Sequence, residues 1–321
     1  MPTQEEWLAA YTNFAQADRQ APVRSCATMA AHETLLESFP MFRALQSDLE
    51  RDVDAAMREP MAFGADGPVT IAVVVHVVWN AANENISDAQ IHSQIERLNL
   101  DYGATNPDRA SIPQIWQGLS SDAGIRFKLA SSAPDGSAHS GITRTHTNRA
   151  GFISDDAVKS SASGGIDTWP IEHYLNIWVC NLTDYLGYAQ FPGGPPTTDG
   201  IVIRHPAFGT TGTVQPPYHT GRTATHEVGH WLNLRHIWGD TQNCTGSDSV
   251  ADTPTQRLPN YGKPDFPSIS CTNGPSGDMF MNYMDYVDDE AMFMFTQGQI
   301  ARMQATLNTI RTGLASSPGL S

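Results

Sequence analysis

The strongest constraint on this chain is the stretch Thr225-His226-Glu227-Val228-Gly229-His230-Trp231-Leu232-Asn233-Leu234-Arg235-His236. Two histidines four residues apart on a helix lie about 40° apart around its axis and one turn apart along it, so both imidazoles reach one metal ion. Glu227, between them, cannot join that ligand pair but can face a water bound to the metal. On a straight helix His236 would sit roughly 15 Å beyond His226 and off its face. For His236 to be the third ligand, the chain must leave the helix after His230. Asn233 falls where that break is needed, and Asn tolerates the left-handed conformation that ends helices. Three neutral imidazoles with one open position are the coordination of a catalytic zinc ion; a structural zinc closes its fourth position. The alternative, an amphipathic helix with two surface histidines, does not account for the third.

With 321 residues, the chain can bury a sizeable core as one large or two modest domains. A net charge of −15 argues against nucleic acid or an anionic membrane as a partner and suits solubility, cation binding or basic substrates. The start, Met1 to Trp7, is acidic with no apolar core, so no secretory signal is expected within this sequence. Val69 to Trp79, the longest apolar run, is too short to span a membrane. Four cysteines, Cys26, Cys180, Cys244 and Cys271, are too few for a disulfide scaffold but fit one bridge and two thiols.

Residues 1–65 differ from the rest: they favour helix, are rich in Ala, Glu, Arg and Met, and end in a Pro/Gly-rich linker from Pro60 to Pro68. They are a candidate pro-segment or an ordinary helical extension. Val69 to Trp79 is β-branched throughout, as in a strand buried on both faces, with His76 a satisfied core histidine. Ser87-Asp88-Ala89-Gln90 forms a capping box before a helix with Ile91, Ile95 and Leu98 on one face. Strands are expected at Ile125–Leu129, Tyr174–Leu182 and Asp199–Ile203, with Cys180 buried as an apolar residue and an edge strand at Leu186–Phe191. An edge strand has free backbone groups to which an extended peptide can add. After His236 the chain is irregular. Asp248, Asp252 and Thr253 there are a candidate calcium site or plain turn chemistry. Cys244 and Cys271 bracket the Pro-rich loop, and a bridge between them would restrict the unfolded chain. Thr296-Gln297-Gly298-Gln299 caps a last helix with Ile300, Met303, Leu307 and Ile310 on one face.

The zinc motif, followed by Asn282-Tyr283-Met284-Asp285-Tyr286, resembles the metzincin zinc peptidases, and within them the pappalysin family near its ulilysin-like microbial branch. The resemblance runs from about Val69 to Met303, including Asp252-Thr253-Pro254 and Met294-Phe295-Thr296. It implies an α/β (α+β) metzincin-like fold. A twisted, mostly parallel sheet with backing and active-site helices (about 66–236) stands above an irregular lower subdomain (about 237–321), with the cleft between. It also implies that Met284 belongs to the Met-turn beneath the zinc and that Tyr286 approaches the metal to support an oxyanion. Asn233 stands where relatives commonly have Gly, and Ala291 follows the acidic run where relatives often have a disulfide cysteine. Some relatives hold a pro-segment in place with a cysteine on the zinc. Cys26, in Arg24-Ser25-Cys26, is matched to that role, against an idle thiol. Relatives favour a basic residue after the scissile bond through an acid near the Met-turn, matched here to Glu290.

These readings converge on a zinc-dependent endopeptidase acting on peptide or protein substrates, with Glu227 as base and zinc with Tyr286 stabilising the oxyanion. The rivals are a dedicated processing hydrolase for one peptide or peptide-like metabolite, inside the cell, and a silent metal-binding scaffold. Family resemblance points outside the cell, the missing signal inside it.

Overall fold

Val69–Trp79 forms strand β1 over its whole length, and residues 71–78 are buried, as a strand covered on both faces requires. The computed structural model that contains it describes residues 24–58 and 67–321. The first 23 residues and most of the expected linker, 59–66, lie outside the described residues. The described part of the N-terminal segment is helical, as its composition predicts: α1 (Thr28–Ser38) and α2 (Pro40–Arg58).

After β1 come helix α3 (Asp88–Tyr102), a single turn α4 (Gln114–Gln117), β2 (Ile125–Leu129), β3 (Ile142–His146), β4 (Tyr174–Cys180), β5 (Gly187–Ala189) and β6 (Ile201–Arg204). The sheet order is β2-β1-β4-β6-β5. β2 pairs with Val69–Val73 and β3 with Val75–Trp79, so the two lie end to end along one edge of β1. Among the described strands of this sheet only β5 is antiparallel, and it forms the opposite edge, as the Leu186–Phe191 stretch predicts. β3 escapes sequence reading because Ile142-Thr-Arg-Thr-His carries no apolar alternation; Arg144 ties it instead to Asn85 and the carbonyl of Ile86. His76 is satisfied by Thr143 Oγ1 (2.8 Å) and Asn176 Oδ1 (3.0 Å), and Cys180 is buried.

The cap before α3 forms only in part. Ser87 Oγ accepts from Gln90 N (3.2 Å), but the Gln90 side chain leaves the box to bond the carbonyls of His205 and Phe208. That use pins the loop after β6, which leads into helix α5 (Arg222–Trp231). Beyond α5 the only strands among the described residues are the two-residue β7 (Tyr261–Gly262) and β8 (Tyr286–Val287). A disulfide joins Cys244 to Cys271. The last helix, α6 (Gln297–Thr309), opens with a complete Thr296/Gln299 capping box, and its Ile300, Met303 and Leu307 enter the core.

Candidate active site

Helix α5 carries His226, Glu227 and His230, and α3 backs it: Tyr102 Oη donates to Thr225 O (3.1 Å) and Thr225 Oγ1 to Asp101 (2.8 Å). The helix stops where the sequence requires it to. Asn233 adopts φ 72°, its N–H bonds His230 O (2.8 Å), and Leu234 N–H bonds Gly229 O (2.9 Å). These two bonds define a Schellman ending, and they turn the chain so that His236 comes back to the first two histidines.

The three Nε2 atoms of His226, His230 and His236 stand 3.1–3.3 Å apart. Each Nδ1 faces an oxygen: Tyr283 O (2.7 Å), Leu234 O (2.7 Å) and Asp240 Oδ1 (2.6 Å). A carbonyl or carboxylate only accepts, so each ring proton sits on Nδ1 and each Nε2 turns a lone pair to a common centre. Burial and the neighbouring imidazoles hold His226 and His230 well below the usual imidazole range, which keeps them neutral. Three converging lone pairs repel unless a cation lies among them. Their spacing is close to the ~3.3 Å edge of a tetrahedron with zinc–nitrogen bonds of ~2.0–2.1 Å. The residues therefore fit a zinc ion, and Cys26 Sγ lies within 4.8 Å of all three ligand atoms.

Tyr283, whose carbonyl orients His226, precedes Met284 in a turn buried beneath the histidines. A Cβ on Gly229 would stand 2.6 Å from Met284 Sδ, so glycine in the motif lets this turn close against α5. Tyr286 packs its ring 4.9 Å from that of His236, and its hydroxyl donates to Cys26 O (3.4 Å).

The N-terminal segment lies along the edge strand. Leu186 N–H bonds Ser25 O and Ala27 N–H bonds Gly187 O (both 3.1 Å), with Cys26 parallel to Gly187. Buried Glu227 accepts from Thr28 Oγ1 (3.0 Å) and Cys26 Sγ (3.3 Å), and Thr28 Oγ1 accepts from Ala189 N–H (2.8 Å). Gly187 makes room, since a Cβ there would stand 3.0 Å from Glu227 Cγ. Burial raises the Glu227 pKa to about 7, outweighing the hydrogen bonds from Cys26 and Thr28. Burial and the Glu227 carboxylate push the Cys26 thiol well above its ordinary range, outweighing the hydrogen bonds from Thr28, and a cation beside the sulfur would favour its thiolate.

Arg24 is buried beside this site. It ion-pairs with Asp289, donates through Nε to Val287 O (3.0 Å) and lies 5.0 Å from the Tyr218 ring centre. Asp289 also accepts from Thr220 N–H (2.8 Å). Glu290, which the family resemblance matched to a specificity role, is exposed and pairs with Lys263 and with His219 (3.6 Å), while its neighbour Asp289 is buried. Adjacent carboxylates in one acidic run carry no sequence signal that separates them. Thr28 was missed for a related reason, because a lone threonine two residues past a cysteine has no motif. Asp248 accepts from Thr253 Oγ1 (2.9 Å) and Val250 N–H (3.1 Å), while Asp252 accepts from Thr296 Oγ1 (2.7 Å) and Gly298 N–H (2.8 Å).

Residues 159–308 match the M43 peptidase family model described as pregnancy-associated plasma protein-A. An extracellular metalloprotease of Arthroderma otae is 33% identical over 272 residues, covering 78% of this chain and 86% of the relative. The chain belongs to the pappalysin family. Extracellular metalloprotease 1 of Coccidioides posadasii is likewise 33% identical, over 81% of this chain and 84% of its own length. Among solved structures, a mutant of Tannerella forsythia promirolysin superposes with TM-score 0.85 at 45% identity, covering 91% of this chain and 97% of that one. Mature mirolysin from the same organism, in complex with a cleaved peptide, gives 0.76 at 50% identity, over 78% and 96%. This pappalysin has the mixed α/β, mostly parallel-sheet architecture of those metzincins and is a zinc-dependent endopeptidase. No described helix is long and apolar enough to cross a membrane.

Proposed function

We propose that His226, His230 and His236 hold the zinc ion, that Glu227 is the proton-transferring residue, and that Tyr286 supports the oxyanion. The convergence of three Nε2 lone pairs beside a buried carboxylate carries this reading. Zinc held there would supply a Lewis acid and would make a water acidic enough to react near neutral pH. Glu227 accepts a proton from the attacking water at the carboxylate edge that Thr28 now occupies, and delivers it to the leaving amine. Tyr286 Oη, which now donates to a backbone carbonyl in the cleft, donates to the substrate carbonyl as charge develops on it. Gly187 O and Ala189 N–H bind the substrate backbone as an added strand.

Residues 1–65 are read as a pro-segment and 66–321 as the catalytic domain. Three side chains of the segment fill three functions: Cys26 would join the histidines in holding the metal, Thr28 engages Glu227, and Arg24 pairs with Asp289. In support, the relative solved as a proenzyme matches more of this chain than the same relative solved mature. Asp289 then selects a basic side chain after the scissile bond, with Glu290 at the rim. Because Arg24 precedes Cys26, the segment runs opposite to a substrate that places a basic residue after the cut. A calcium ion at Asp248, with Asp252 and Thr253 close in sequence, belongs to the same proposal. Burial raises Asp248 to about 6, a cost that a divalent cation removes. The disulfide and the extracellular relatives support work outside the cell.

The test is chromatographic. Peptides with Arg or Ala after the candidate bond are incubated with the full-length chain and with chain nicked by trypsin, with and without a zinc chelator. Nicked enzyme should cleave before Arg, and chelator should stop it. Chelator-resistant cleavage, or full activity of Glu227→Ala, would overturn the assignment.

A further inference from the structure

The turn that brings His236 to the site is held from the far end of the chain. The ending at Asn233 leaves the carbonyls of Trp231 and Asn233 outside the helical ladder. Two buried arginines take them: Arg311 Nε donates to Trp231 O (3.0 Å) and Arg302 Nε to Asn233 O (2.7 Å). Arg311 is locked by both oxygens of Asp199 (3.0 and 2.9 Å) and lies 3.9 Å from the Trp231 ring centre.

Arg302 is anchored differently. It projects from α6, has no solvent exposure, and pairs through Nη2 with Glu50 of α2, with Asp54 3.8 Å from Nη1. Glu50 also lies 3.7 Å from Arg235, the residue before His236. Burial would raise the Glu50 pKa, but Arg302 and then Arg235 hold it below the usual carboxylate range, so it is ionised. One carboxylate of the N-terminal segment thus faces both the arginine that holds the ligand turn and an arginine within that turn.

The Schellman bonds order the backbone only as far as Leu234, and His236 lies two residues further on. The orientation of the Asn233 carbonyl sets the direction in which the chain leaves toward His236, and Arg302 is the side chain that bonds it. We propose that Arg302 is a positioning residue of the metal site, which sets the place of His236 by bonding Asn233 O, and that Glu50 of the docked segment holds Arg302 in that pose. The segment therefore tightens the ligand set as well as covering it. This rests on His236 being a metal ligand.

The test uses the full-length chain carrying Cys26→Ala, so that the imidazoles alone hold the metal. The rate of zinc transfer to a chromophoric chelator is measured well below the melting temperature. Arg302→Met should speed zinc loss about 10–100-fold, the range for residues that orient ligands from behind. Glu50→Gln should speed it by a smaller factor, and Arg302→Lys should recover part of the loss. Ile300→Ala, a core cavity on the same helix, should lower the melting temperature without a matching change in zinc release. Equal release from Arg302→Met and Ile300→Ala would overturn the proposal. If Arg302→Met does not fold, Arg302→Lys carries the test, and release at the parent rate would overturn it. His236→Ala separates the two layers: unchanged release there refutes the ligand assignment itself, whereas fast release there with none from Arg302 variants refutes only the positioning role.

Discussion

The two halves that meet at the zinc site reach order by different means. On the sheet side, β1, β4 and β6 are almost wholly buried and mostly apolar, and α3 and α5 pack over them. On the lower side, short strands and a disulfide frame buried carboxylates that each gather several donors. Asp285 accepts from Gln256 (2.9 Å), Asn260 N–H (2.8 Å) and Tyr286 N–H (2.8 Å), and Asp278 from Ser270 and Asn273 (both 2.7 Å). Dispersion and burial are non-directional, so a change on the sheet side costs stability without re-aiming a polar group; hydrogen bonds are directional, so a change on the lower side re-aims the groups they hold. His226, Glu227 and His230 come from the sheet half. Tyr286 and Asp289 come from the lower one.

Four measurements would break or sharpen this contrast. The largest effect belongs to Glu227→Ala in nicked enzyme, where kcat/KM should fall about 10²–10⁴-fold while zinc content by atomic absorption stays unchanged. Loss of zinc alongside activity would mean that the glutamate shapes the site and does not merely move protons. Next, Ile177→Ala in β4 should cost about 2–5 kcal/mol of stability yet leave kcat near the parent value at low temperature. Asp285→Ala should cost at least as much, about 1–3 kcal/mol for each donor left unpaired, and should also depress kcat by releasing the backbone of Tyr286. If the two variants affected kcat alike, the distinction between the halves would fail.

The smallest effect concerns acid. His32 of α1 is held near pKa 4 by burial first and by Arg235 second, below its ordinary 6.5. The docked segment therefore carries a neutral His32, and an undocked one takes up a proton below pH 6.5. Docking strength from this group is complete above pH 6.5 and declines as pH falls toward 4. Protection of the α1 amides, read from exchange rates divided by the intrinsic rate at each pH, should fall between pH 7 and 5 in the full-length chain, and His32→Phe should flatten that dependence. An unchanged slope in His32→Phe would assign the pH dependence to other groups.

Much of the framework was legible because it follows local periodicity. The all-β-branched run forms β1 with the predicted ends, Thr296 and Gln299 close their box, and Asn233 takes the left-handed turn that a returning His236 demands. What was not legible was what depends on a distant partner. Gln90 looked like half of a cap, but the carbonyls of His205 and Phe208 lie within its reach and compete for it. Of two adjacent acids, Asp289 faces Arg24 and Glu290 faces solvent, a choice set by how β8 meets the segment.

From residues alone, the chain was bound to bring three imidazoles and a carboxylate onto one helix and its turn, because spacing on an α-helix and the tolerance of Asn for positive φ are local properties. The tertiary structure decided what stands around them. Thr28 on Glu227, Arg24 on Asp289, and Arg302 between Glu50 and Asn233 join residues some 70 to 270 positions apart. No local preference encodes such pairs, since burial makes each charge or donor take whichever partner the packed chain brings within reach.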